Sequence, residues 1–167
     1  MKPRSLDESA HRRPGRPAKT PAGVAWATDL IGLEIVLWDR VDAVLRERHE
    51  VSLAFFEALH FTSQAQDGSL RLGDLAKAIR ITTGGASKLV DRVVAAGLLE
   101  RLPDPHDRRA ARIRLTREGA RKLRTATRTY EETVAAFVEP VLSPTEQQQL
   151  QDYITRLLAA AQGHITE

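Results

Sequence analysis

Cysteine is absent from the 167 residues, and with it go disulfides, thiolate zinc sites and thiol-based redox sensing. Aromatic residues make up only 5% of the chain, a share common in helical proteins rich in Leu, Ala and Val. The five histidines (His11, His49, His60, His106, His164) form no i, i+3 or i, i+4 pair suited to metal ligation on a helix. There is no Gly-rich phosphate loop after a strand, no metal constellation and no nucleophile–base arrangement. His106 beside Asp107 has no nucleophile with it and reads as a solvated turn residue. The chain is therefore expected not to be an enzyme and to need no cofactor or metal. The basic N-terminus has no apolar run behind it, so it is not a secretory signal. The first apolar run, Val24 to Leu45, carries Asp29, Glu34, Asp39, Arg40 and Asp42 and cannot span a membrane. A soluble, cytoplasmic protein without a membrane partner is expected.

What is present is charge, and it is sorted. The formal net charge is only +3, yet from Arg71 to Arg124 fourteen Lys/Arg stand against six Asp/Glu. Residues 1–21 hold six against two, and the remainder holds five against fourteen. A basic middle and a basic tail between acidic flanks suit a chain that presents one face to a polyanion. Residues 1–21 also hold four prolines and almost no apolar residues, so a disordered tail is expected there.

Helical periodicity begins at Ala22 and runs to about Glu50, through Trp26, Leu30, Leu33, Leu37, Val41 and Val44, with a second stripe of Ile31, Ile35, Trp38 and Leu45. Apolar surface that wide needs more than one packing partner. A second helix is expected from about Ser52, its cap, to Gln66, before the Asp67 to Ser69 turn. Leu72, Leu75, Ala76 and Ile79 make the buried face of a short helix. Thr82 caps another, which runs to about Ala96 and is stopped by Gly97 at C′. Its inner stripe is Ala86, Leu89, Val90 and Val93; Gly84, Ser87, Lys88, Asp91 and Arg92 fall outside. Two short helices with a tight turn form a helix-turn-helix pattern. Leu98 to Leu102 and Arg112 to Thr116 read as an antiparallel hairpin with its tip at Pro103 to Ala110. A long helix follows from Thr116 to about Val138. A last helix is capped by Ser143, with Pro144 at N1 and Glu146 completing a capping box, and runs through Leu150, Tyr153, Ile154, Leu157 and Leu158.

These residues resemble the MarR family of bacterial transcriptional regulators over roughly 22–160, most specifically over 70–124. The resemblance rests on Leu75-Ala76, on Val90-Asp91-Arg92, on "AAGLLER", and on Asp104, Asp107, Arg108, Arg109, Leu115, Thr116 and Gly119. It implies a mainly α fold with a small β-wing in a single domain over 22–167. The winged helix-turn-helix lobe would occupy 70–124, and 22–50 with 125–167 would supply dimerisation helices. It further implies an obligate homodimer of triangular shape whose two winged lobes point at double-stranded DNA; their two-fold relation suits an inverted-repeat operator, and a repressor is expected.

The expected DNA-binding residues are Thr82, Thr83, Gly84, Gly85, Ser87, Lys88 and Arg92 on the helix, and Asp107, Arg108, Arg109, Arg112 and Arg114 on the wing. Thr83, Ser87 and Lys88 would meet base edges, with Arg92 on phosphate. By the family pattern Arg109 enters the minor groove and Asp107 orients it, while Arg108, Arg112 and Arg114 face phosphates. Many family members carry Ser-Pro-Ser-Thr where this chain has Thr82-Thr83-Gly84-Gly85. The glycines allow close backbone approach to DNA, or simply leave a loose first turn. Asp91 on the same face is expected to hold Lys88, Arg92 or a wing arginine. The family also implies a pocket for a small aromatic or phenolic effector. Trp26, Trp38, Arg40, Phe55, Phe56 and His60 are the candidate lining, with core filling as the alternative. In the tail Arg12, Arg13 and Arg16 resemble an AT-hook core, against the alternative of a solubilising arm. Two other readings stand beside the regulator: a winged-helix nucleoid-associated protein that binds by shape and charge, and a helical small-molecule-binding protein.

Overall fold

A computed structural model describes residues 21–105, 107 and 110–163. The expectations for Arg12, Arg13, Arg16, His106, Arg108 and Arg109 lie outside these residues. The chain divides into two compact units, 1–34 and 35–167. In the first, residues 22–34 form the opening part of α1 (Ala22–His49), where Trp26, Leu30, Ile31 and Leu33 are all exposed.

The second unit holds the rest of α1, then α2 (Leu53–Ser63), β1 (Leu70–Arg71), α3 (Leu72–Ala78), α4 (Thr83–Ala95), β2 (Leu99–Pro103), β3 (Ala111–Leu115), α5 (Arg117–Val138) and α6 (Pro144–Gly163). This is a mainly α protein with a small antiparallel sheet in the order β1-β3-β2. One core joins Val41 and Leu45 of α1 to Phe56 and Leu59 of α2, Leu75 of α3, Val90 and Val93 of α4, Ile113 of β3 and Leu123 of α5. By contrast α6 shares in no core: every residue from Gln148 to Ala161 is exposed. No helix among the described residues is long and apolar enough to cross a membrane.

Side-chain caps set the helix starts, each satisfying a backbone donor that the helix leaves unpaired. Ser52 Oγ accepts from the Phe55 N–H (3.2 Å), Thr82 Oγ1 from Gly85 (3.1 Å) and Thr116 Oγ1 from Gly119 (2.9 Å). At α6 the Ser143 N–H donates to Glu146 Oε2 (2.8 Å), the return half of a capping box. The hairpin lies one residue away from its expected limits at all four ends: pairing of Pro103 with Ala111 lengthens both strands at the tip, and capping shortens both at the outer end. Leu98 closes α4 instead of opening β2: Gly97 is left-handed (φ 73°), its N–H bonds Val94 O (2.8 Å), and the Leu98 N–H bonds Val93 O (3.1 Å). Thr116 is likewise withdrawn from β3 to cap α5. Strand β1 was not expected. Two residues are too few to show alternation, yet they pair Leu70 with Ile113 and Arg71 with Arg112.

Thr116 and Gly119 explain their own spacing. The Thr116 N–H donates to Leu98 O (3.1 Å) and its hydroxyl to Gly97 O (2.7 Å), while Gly119 faces the same Leu98 carbonyl. A Cβ on Gly119 would fall deep inside van der Waals contact with that oxygen. Gly119→Ala should therefore destabilise the fold by ~3 kcal/mol in urea denaturation. Gly73→Ala, where a Cβ meets nothing, should not destabilise it. Equal midpoints for the two variants would overturn this account of Gly119.

Helix α1 ends against α5. A His49 ring nitrogen lies 2.7 Å from Thr129 Oγ1, and Lys122 Nζ donates to the His49 carbonyl (2.9 Å). Burial, then Lys122, Arg48 and Arg128, hold the imidazole pKa below its ordinary 6.5. The unfolded chain thus takes up a proton near 6.5 that the folded chain refuses. Stability should fall as pH drops below about 6.5 and level off once the lower folded value is passed. Melting temperatures across this window should show the decline in the wild type and a flatter profile in His49→Gln; parallel profiles would be inconsistent with it.

Candidate nucleic-acid interface

Helix α4 buries Ala86, Leu89, Val90 and Val93, the stripe its periodicity dictates. That burial turns Thr82, Thr83, Gly84, Lys88, Asp91 and Arg92 outward, with Gly85 and Ser87 half-buried at the margin. The two glycines have different surroundings. A Cβ on Gly85 would crowd Thr82 Oγ1 (3.2 Å), so Gly85 leaves room for the cap. A Cβ on Gly84 would meet nothing within the protein. Packing gives Gly84 no reason to be glycine.

The acid on this face is paired. Asp91 Oδ1 accepts from Arg101 Nη2 at 2.7 Å, and the same nitrogen lies 3.5 Å from Ser87 Oγ. Arg101 belongs to β2 and was not among the expected site residues. Its i, i+10 relation to Asp91 follows from the turn at Gly97 and carries no local periodic signal. Arg92 lies over the Phe55 ring, 5.3 Å from its centroid, so α4 leans on α2 through a cation–π contact.

Two arginines expected on phosphates are paired with acceptors of this same chain. Arg112 is only 17% exposed at its side chain and pairs with Asp67 (3.7 Å) and Asp104 (3.8 Å). Its guanidinium also donates to Ser69 Oγ (2.9 Å) and Ser69 O (2.7 Å). The physical reason is β1, which brings Ser69 and Asp67 alongside β3 and gives Arg112 a full set of acceptors. Arg114 donates to Glu100 Oε1 (2.8 Å), its directly opposite neighbour on β2. The basic outer face of the hairpin is thus largely neutralised by its neighbours.

At the wing base Asp104 has a side chain with no exposed surface. It accepts from Arg71 Nε (2.8 Å) and Nη2 (3.3 Å), and its Oδ1 also accepts the Asp107 N–H (3.2 Å). Asp107 itself is exposed. Asp104 and Arg71 therefore join the expected set as positioning residues: they tie β1 and β3 to the segment that leads into the tip.

The candidate effector residues of the second unit are spread over separate contacts. Phe56 is a core residue, stacked on Tyr130 (5.0 Å) and His60 (5.9 Å). Phe55 carries Arg92, Arg40 lies over Phe137 (5.7 Å), and Trp38 is exposed. Trp26, also exposed, lies in the first unit.

Residues 50–110, from the end of α1 into the wing, match the model of the MarR family. The chain is 26% identical to Sco3205, a MarR family transcriptional regulator from Streptomyces coelicolor solved in complex with DNA. The match covers 86% of this chain and 92% of that one with a TM-score of 0.75. AbsC, a second MarR family regulator of S. coelicolor, shares the fold at 22% identity and TM-score 0.75, over 89% of this chain and 99% of that one. The multiple antibiotic resistance protein MarR of Escherichia coli is 38% identical over 47 residues, 28% of this chain. The chain spans about a third (33%) of the length of the curated relatives it matches.

Removing the Asp104 carboxylate should show how far the wing depends on it. Stranding one partner of a buried ion pair costs ~3–5 kcal/mol, and Arg71, with its side chain 46% exposed, recovers part of that from water. Asp104→Ala should thus lose about 2 kcal/mol in urea denaturation. It should also speed amide exchange across β1 and β3. Unchanged exchange there would remove Asp104 from its positioning role.

Proposed function

We propose that the chain is a MarR-family transcriptional regulator that binds double-stranded DNA as a homodimer, as the match of residues 50–110 to the family model and the likeness to Sco3205 support. The observation that carries this reading is the outer face of α4. Thr83, Gly84 and Lys88 are exposed there, and neither the Thr83 nor the Lys88 side chain makes a hydrogen bond or ion pair with another described residue, beside a wing fixed at its base by Asp104. In the proposed complex α4 enters the major groove, where Thr83, Ser87 and Lys88 reach base edges and Gly84 lets the backbone come close. Thr82 and Gly85 shape the first turn of α4, and Arg92 reaches phosphate from its seat on Phe55. The wing tip enters the adjacent minor groove through Arg109, oriented by Asp107, with Arg108 on phosphate. Arg112 and Arg114 hold the wing in shape. The basic tail, with Arg12, Arg13 and Arg16, adds further phosphate contacts.

Dimerisation is supported by unpartnered apolar surface. Leu150, Tyr153, Ile154, Leu157 and Leu158 form one exposed stripe on α6, and Trp26, Leu30 and Leu33 are exposed on α1. Monomeric proteins rarely leave such stripes to water. A two-fold dimer reads an inverted repeat with half-sites about one helical turn, ~10 bp, apart. Repression follows where that repeat overlaps a promoter. Release by a small aromatic acid fits the Phe55–Arg92 contact, because a ligand against α2 would disturb Arg92.

Footprinting on DNA flanking its own coding sequence, with titration against random duplex at two salt concentrations, tests the reading. Specific binding should exceed random binding by roughly 10³-fold. Equal affinities would favour the nucleoid-associated reading, and no duplex binding at all would overturn both. A stable monomer in sedimentation at micromolar concentration would overturn the dimer.

A further inference from the structure

Arg80 stands in the turn between α3 and α4, one residue before Ile81 and two before the Thr82 cap. Its backbone is left-handed, φ 56°, a conformation that favours glycine. The turn itself is held by main-chain bonds: the Arg80 N–H donates to Lys77 O (3.2 Å) and the Ile81 N–H to Ala76 O (3.0 Å). Glycine would make both bonds without strain. The arginine side chain is exposed, and no hydrogen bond or ion pair joins it to any other described residue. Nothing in the fold accounts for it.

Left-handed backbone alone does not single Arg80 out, since Glu50 has the same conformation (φ 57°) at the end of α1. Charge and place do. Arg71, Arg101, Arg112, Arg114 and Arg121 are each paired with a carboxylate. Lys77 pairs with Asp74, Lys122 is held by the His49 carbonyl, and Arg92 lies over Phe55. Among the described residues from 71 to 124, that leaves Arg80, Lys88, Arg117 and Arg124 without an internal partner. Arg117 and Arg124 lie on α5. Only Arg80 and Lys88 flank the first turns of α4.

We propose that Arg80 is a further DNA-contacting residue, its guanidinium binding a backbone phosphate beside the groove that α4 enters. This rests on the DNA-binding reading above. It adds a contact outside α4 and the wing, made by a cation held on a short, bonded turn. A guanidinium suits a phosphate because its forked donors match two phosphate oxygens. Such a contact orients α4 on the duplex without reading sequence.

The test uses full-length wild type, Arg80→Gly and Arg80→Lys, with fluorescence anisotropy on a footprinted operator and on random duplex across a salt series, and thermal melts in parallel. Arg80→Gly should melt no lower than wild type, since it relieves the backbone. It should also bind both duplexes about tenfold or more weakly near 0.1 M salt, with the log–log salt slope shallower by ~0.9 per subunit, about two per dimer. Arg80→Lys should keep most of the slope. Wild-type affinity and slope in Arg80→Gly would overturn the contact and leave the regulator reading standing. Weakened binding accompanied by a lower melting temperature would assign Arg80 a structural role and overturn it too. A wild type that bound no duplex would instead bring down the DNA-binding reading itself, and the contact with it.

Discussion

The carbonyl of Leu98 is the point through which three elements are fixed. It accepts the Thr116 N–H at 3.1 Å and lies 3.3 Å from the Thr116 hydroxyl, which also bonds Gly97 O. Leu98 closes α4 through its own N–H, and Thr116 opens α5 through its side chain. The end of α4, the end of β3 and the start of α5 are thus one hydrogen-bonded knot. Gly119 permits it, because any side chain there would strike the Leu98 oxygen. Two positions 18 or more residues from Leu98, Thr116 and Gly119, therefore have their identities set by one backbone oxygen and its neighbours. The outward aim of α4 depends on the knot, since the helix is anchored at its C-terminal end and capped at its N-terminal end by Thr82.

Electrostatics then divides the basic residues into two groups. An arginine with a carboxylate opposite it is spent within the fold: Arg114 on Glu100, Arg101 on Asp91, Arg71 and Arg112 on Asp104. These pairs hold the sheet and bind the wing to α4. Asp91 illustrates the benefit. Left bare it would repel a polyanion from the outer face of α4, but Arg101 neutralises it at 2.7 Å. A second group, Arg80 and Lys88 among it, has no such partner. The sorted charge of the chain overstates its unpaired basic surface, because several of these arginines face carboxylates of the same chain.

What was legible in the sequence was what local chemistry decides. Ser52, Thr82, Thr116 and Ser143 act as caps because a hydroxyl beside orphaned N–H groups has one good use, and the inner stripe of α4 follows from a period of 3.6. The central part of α1 was also readable, since Val41 and Leu45 lie on the stripes seen in the sequence and are buried. What stayed hidden depends on residues far apart in the chain. Strand β1 is two residues long and exists only because β3 pairs with it, and without it Arg112 has no visible acceptors. Asp104 could be seen as part of a motif, but not as a buried acceptor for Arg71, 33 residues away. Arg80 was passed over because nothing in a sequence marks a left-handed arginine.

The place of α2 follows from the same long-range logic. It packs against α3, α4, α5 and β3, and its first N–H, at Leu53, is held by Asp42 of α1 at 2.7 Å. One of its faces stacks Phe56 on Tyr130 of α5; the adjacent residue, Phe55, carries Arg92 of α4. A contiguous line of packed groups thus leads from α1 and α5 through α2 to a cation on the outer face of α4. Contiguity alone transmits nothing; a signal passes only if α2 has two arrangements that a ligand and DNA favour differently. The aromatic residues of α2 join its core side to its outer side. They are shared between the core and the face, so a tilt of α2 that repacks Phe56 on Tyr130 also moves the ring beneath Arg92.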